Sequence, residues 1–186
     1  MICTAKRLLL VRASGRLSTQ LGRYSSNYDE VFLAAHQRLQ ENGYATKFDL
    51  AALIGWKHVQ NSPWMFRLYD FPSGAVEAAT AAAFAPGLSD EQRIDALCGL
   101  PGYGRGSAFT SVLLAAWDPT RYGVFDKFVD GIRPTVVTAG CRCRWADLPT
   151  YFDHLRRLAD ELATATGSSW TPRQVDQAMY MLGGGK

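Results

Sequence analysis

Apolar residues recur at helical spacing along most of this chain. From Asp29 to Asn42, the residues Val31, Phe32, Ala35 and Leu39 fall on one side of a 3.6-residue period, and Asn42-Gly43 stops the helix. A second helix is predicted from Lys47 to about Gln60, with Phe48, Leu50, Ala51, Leu53 and Ile54 as its core side and Pro63 limiting its extension. Trp64, Tyr69 and Phe71 read as an aromatic cluster in a loop. An alanine-rich helix from Ala75 to Phe84 is broken by Pro86-Gly87. Ser89-Asp90-Glu91 opens the next helix, with a capping oxygen and acids in its first turn, and Ile94, Leu97 and Cys98 form its buried edge. After Gly106, the run Ser107 to Trp117 is small and apolar, and Asp118-Pro119 ends it. A further helix is expected to begin at Asp126 or Lys127, followed by an irregular connection from Pro134 to Arg144. Leu148 to about Ala165 carries Phe152, Leu155, Leu158 and Leu162 on one side. Thr171-Pro172 then sets proline in the first turn of a last helix, Arg173 to Leu182. No convincing strand and no repeat emerge, so the predicted fold class is all-α.

Residues 1–28 are different. They lack sustained periodicity, with a short ordered element expected near Leu8–Val11 and loop after it. They carry Lys6, Arg7, Arg12, Arg16 and Arg23 and no acid, which marks a basic N-terminal arm. Residues 29–186 read as a single helical domain. The whole chain carries a formal charge of +3, a balance that permits nucleic-acid binding without demanding it. Cys3, Cys98, Cys141 and Cys143 make no disulfide framework in 186 residues and read as reduced thiols of an intracellular protein, in cytoplasm or nucleoid. Only Cys141 and Cys143 are close neighbours, and no further ligand follows at zinc spacing, so no metal is expected. No apolar run approaches the roughly 20 residues of a membrane span. The run Leu8-Leu9-Leu10-Val11 is too brief for a signal-peptide core.

The most specific stretch is Leu100-Pro101-Gly102-Tyr103-Gly104-Arg105-Gly106-Ser107-Ala108, a Gly-rich hairpin expected between two helices (residues 94–117). A Gly-x-Gly turn alone is weak evidence, because glycine simply supplies backbone conformations that other residues avoid. Here a helix ends, Pro101 fixes the entry and a helix restarts at once. Free amides at that restart, reinforced by the helix dipole, make a site for a phosphate. Arg105 can add a charge-assisted contact, and Tyr103 either pins the hairpin to the core or packs beside a sugar. A generic helix junction is the plain alternative.

Those residues resemble the helix-hairpin-helix of the base-excision DNA glycosylase superfamily, whose signature is Leu-Pro-Gly-(apolar)-Gly, a small-residue helix, a short loop and an aspartate. Tyr122-Gly123-Val124-Phe125-Asp126 supplies the last part, 22 positions beyond Gly104. The motif pieces span residues 94 to about 132, and the likeness extends more loosely upstream to about residue 48. Trp56-Lys57 and Thr171 to Ala178 match elements of the small bacterial 8-oxoguanine DNA glycosylase-like proteins, which the chain resembles most. The resemblance implies a helix-hairpin-helix glycosylase-like fold, a monomer, and double-stranded DNA carrying a damaged or modified base as partner; the four closely spaced C-terminal cysteines of the superfamily's iron–sulfur subclass are missing after Cys143, so no cofactor is expected.

It also implies roles for residues. Asp126 would be the catalytic carboxylate, stabilising positive charge on the sugar or orienting water; its plain role is a helix cap, and the two are compatible. Gly102, Tyr103, Gly104, Arg105, Gly106 and Ser107 would hold the DNA backbone. Members with lyase activity carry a Schiff-base lysine where this chain has Gly106, so a water-using monofunctional glycosylase is the expectation. Lys57 and Lys127 are the stand-ins for that amine, or else phosphate contacts or surface charges. His58 or Lys57 would fill the gap left by a flipped base, with Trp56 and Trp64 lining the base pocket. The plain alternative makes Trp56 and Trp64 packing residues. The alternative for the whole chain is a non-catalytic helix-hairpin-helix DNA-binding module.

Overall fold

The computed structural model describes residues 15–57, 63–126 and 147–182, and among them every regular element is helical. The all-α expectation holds. The chain divides into two compact units, residues 26–118 in one and residues 1–25 with 119–186 in the other.

In the unit of residues 26–118, a 3-10 turn (Ser26–Asp29) leads into α1 (Glu30–Asn42), α2 (Lys47–Lys57), α3 (Pro63–Asp70), α4 (Ser73–Phe84), α5 (Asp90–Leu97) and α6 (Ala108–Trp117). Helix α6 is the centre: every residue from Phe109 to Ala116 is buried, and α1 and α2 pack against it. Each leucine or phenylalanine taken out of water there contributes about 1.5–3 kcal/mol. The last carbonyls of α6 need partners from outside the helix. His36 and Gln40, one turn apart on α1, provide them: His36 Nδ1 donates to the Ala116 carbonyl at 2.6 Å and Gln40 to that of Trp117 at 2.6 Å. His36 is therefore a capping residue of α6.

Caps elsewhere are local. Ser89 and Gln92 form a reciprocal capping box at the start of α5. Thr46 and the buried Asp49 do the same for α2: Asp49 accepts from the Thr46 amide (2.9 Å) and hydroxyl (2.6 Å), and also from Arg38 (2.5 Å). Burial pushes the Asp49 carboxyl up, but Thr46 and Arg38 outweigh it and hold the group below the ordinary aspartate value.

Three expectations of side-chain placement fail here. Phe48 is 83% exposed because α2 buries Leu50, Leu53 and Ile54, which leaves Phe48 on the opposite side of its first turn. Cys98 is exposed at the C-cap of α5, just past the helix that buries Ile94 and Leu97. The aromatic cluster expected in a loop is helix α3. Its Pro63 occupies the first helical position, where a missing N–H costs nothing.

In the other unit, residues 15–21 are helical with Leu17 fully buried, where loop was expected. Helix α7 (Leu148–Thr166) is capped by Asp147 and stopped by Gly167 at φ +73°; α8 (Pro172–Leu182) is capped by the Thr171–Gln174 pair. The two helices pack on each other, and Leu155, Leu158, Leu162, Val175 and Met179 are among their buried residues. The element expected near Leu8–Val11, the helix start beyond Asp126, the connection Pro134 to Arg144, and Cys3, Cys141 and Cys143 lie outside the described residues.

Candidate functional site

The hairpin lies between α5 and α6, as its residues require. Leu100 and Tyr103 close its first turn through a Tyr103 amide to Leu100 carbonyl bond at 3.1 Å. Gly102 adopts φ +85°, a left-handed conformation that L side chains avoid. A second constraint acts at the same position. A Cβ on Gly102 would stand 2.9 Å from Cγ and Cδ2 of Trp64 and 3.1 Å from Phe109. The indole of α3 is thus the seat of the hairpin, and the Arg67 guanidinium carbon lies over the same ring, 4.7 Å from its centroid, as a cation–π contact.

Ser107 locks the far side. Its hydroxyl donates to the Gly102 carbonyl at 2.5 Å and accepts from the Phe109 amide at 3.1 Å, capping α6. Gly104 donates its amide to the buried Thr110 hydroxyl at 2.9 Å, so that amide is already engaged. The amides of Arg105, Gly106 and Ala108 find no acceptor among the described residues, and Arg105 and Gly106 are exposed. Cβ atoms built on Gly104 and Gly106 meet nothing within 4 Å, so both positions are open to an approaching group.

Tyr103 is buried against Phe109, with ring centroids 6.2 Å apart, and pins the hairpin to the core. Burial pushes its phenol well up. The Arg105 guanidinium pairs with Asp95 at 2.7 Å on the surface. An exposed pair of this kind is worth about 0–1 kcal/mol, so a phosphate could recruit Arg105 from it.

Of the other residues, Trp56 is half-buried and packs on Phe32 with centroids 5.3 Å apart. Lys57 ends α2, half-buried. His58 and Lys127 lie outside the described residues. No family model, curated protein or solved structure matches the chain.

Asp126 belongs to the other unit. It ends a non-helical stretch, residues 119–126, in which Tyr122, Gly123 and Val124 are buried and Phe125 and Asp126 half-buried. Helices α7 and α8 clamp this stretch. Asp176 on α8 accepts from the Val124 amide (3.0 Å), from Tyr151 of α7 (2.9 Å) and from Arg173 (2.5 Å). The Tyr151 hydroxyl also stands 3.2 Å from the Val124 carbonyl. Its single proton favours the closer, charged acceptor. Burial pushes the Tyr151 phenol well up, and the negative charges of Asp176 and Asp126 add to the effect, so it stays a neutral donor.

The clamp depends on Gly123. A Cβ there would meet Leu155 at 2.5 Å and the Asp176 Cβ at 2.8 Å. Only glycine lets both helices approach so closely. Asp176, Tyr151 and Gly123 carried no role in the sequence reading; the sole signal for the first was its place in the stretch Thr171 to Ala178. Among the described residues, no group of three or more His, Cys, Asp or Glu could hold a metal ion, and no helix is long and apolar enough to cross a membrane.

Proposed function

We propose that this chain binds double-stranded DNA through the hairpin of residues 100–107 and hydrolyses the N-glycosidic bond of a damaged or modified base, with Asp126 as the acting carboxylate. The observation that carries the reading is the hairpin itself. Two helices meet through a left-handed Gly102 seated on Trp64, and the restart of α6 leaves the Arg105, Gly106 and Ala108 amides without acceptors among the described residues. Such amides at a helix N-terminus suit a phosphate oxygen. The resemblance to the helix-hairpin-helix glycosylases adds the rest: a spaced aspartate, a monofunctional mechanism because position 106 is glycine, and a base drawn out of the stack.

In this mechanism the carboxylate offsets the positive charge that grows on the sugar as the base departs, and it orients the attacking water. The residue at 106 takes no part beyond its amide. Incubating the protein with duplexes carrying oxidised, alkylated or deaminated bases, then cleaving abasic sites with alkali, tests the reading. Strand breaks on at least one lesion are expected. Salt-dependent DNA binding without breaks on any duplex would leave the non-catalytic module instead, and no salt-dependent binding at all would remove DNA from the account.

A further inference from the structure

The stretch Thr171-Pro172-Arg173-Gln174-Val175-Asp176-Gln177-Ala178 has no part in the chemistry described so far, yet two of its residues grip the segment that carries Asp126. The Arg173 amide donates to the Pro119 carbonyl at 3.3 Å, at the beginning of that segment. Asp176 holds Val124, two residues before Asp126, at its end. Phe125, the next residue after Val124, lies edge-on to the Tyr151 ring, centroids 5.4 Å apart. The Arg173 guanidinium is fixed in turn by Asp176 and by the Tyr24 hydroxyl at 3.2 Å.

This arrangement is costly as a source of stability. Arg173 and Asp176 are both buried, and a buried ion pair is commonly matched or exceeded by well-packed apolar residues of the same volume. Three directed donors hold the Asp176 carboxylate in one place, and through the Val124 amide that carboxylate fixes the backbone two residues before Asp126. We propose that Asp176, acting through Tyr151 and the Val124 amide, is the positioning residue that sets the orientation of the Asp126 carboxylate. The inference rests on the reading of Asp126 as the acting group.

Tyr151→Phe is the sharpest probe, since it removes one oxygen, changes no charge and keeps the rings against Phe125 and Phe152. On a duplex that the wild type cleaves, single-turnover base release is expected to fall about tenfold or more, since small misplacements of reacting groups cost rates of this order. Affinity for the same duplex is expected to stay within about twofold, separating positioning from binding. Asp176→Asn is expected to lose more, with the same split between rate and affinity. A Tyr151→Phe rate within about twofold of wild type, or a loss explained wholly by a smaller folded fraction, would overturn the proposal.

The carboxyl carbon resonance of Asp126, followed by NMR, gives a second readout that needs no activity. Tyr151→Phe is expected to move it. If wild type releases no base, the glycosylase reading fails by itself, and an unmoved Asp126 resonance would separately refute the positioning role.

Discussion

Replacing Gly102 by alanine probes the hairpin at its most constrained point. Two costs combine. At φ +85° an L residue loses about 1–2 kcal/mol relative to the right-handed regions. The new methyl would also stand 2.9 Å from Trp64 Cγ and Cδ2, well inside ordinary contact. These are the ring atoms nearest the backbone of α3, so relief requires the helix to shift rather than a side-chain end to swing; overpacking of this kind costs about 1–3 kcal/mol. Together about 2–5 kcal/mol is expected, read as a lower urea midpoint with an unchanged m value. The two parts separate in a double-mutant cycle with Trp64→Ala, where only the conformational part of the Gly102→Ala cost should remain. A Gly102→Ala variant within about 0.5 kcal/mol of wild type would refute the hairpin geometry, and an equal cost in both backgrounds would refute the seat on Trp64.

Two further outcomes follow from particular positions. A side chain at Gly106 has open space and no left-handed backbone, so Gly106→Lys should fold normally; by the resemblance it should also form a borohydride-trapped adduct with a cleaved duplex, whereas wild type should not. A trapped wild-type adduct would mean that another lysine does the work. Asp49 titrates below its unfolded value, so its contribution is complete above about pH 4 and is lost as acid carries the pH through the lower folded value. Asp49→Asn should therefore cost about 1.5–3 kcal/mol at neutral pH in urea titrations, with the gap to wild type closing in strong acid; a gap independent of pH would contradict the Thr46–Arg38 account.

Much of the fold was legible because its signals are local. Ser89 with Gln92 and Thr171 with Gln174 begin helices through contacts three residues long. Gly43 and Gly167 stop them through their own backbone angles. Helix α3 was not legible: Pro63 reads as a stop when taken as interior, and Phe66 and Tyr69, 68% and 65% exposed, spoil its apolar stripe. The site divides the same way. Pro101-Gly102 announces a turn, and Gly102 is indeed left-handed. Its contact with Trp64 spans the unit and leaves no periodic trace. The clamp on Val124 joins residues 25 and 52 positions apart, and its central carboxylate looks, in sequence, like any polar residue on an amphipathic helix.

The central claim is that Asp126 acts on a glycosidic bond. Single-turnover base release by Asp126→Asn, measured beside its affinity for the same lesion-bearing duplex, tests that claim most directly. The account predicts a rate lowered by about 10²–10⁴-fold with affinity nearly unchanged. Release at the wild-type rate by the Asp126→Asn variant would contradict it.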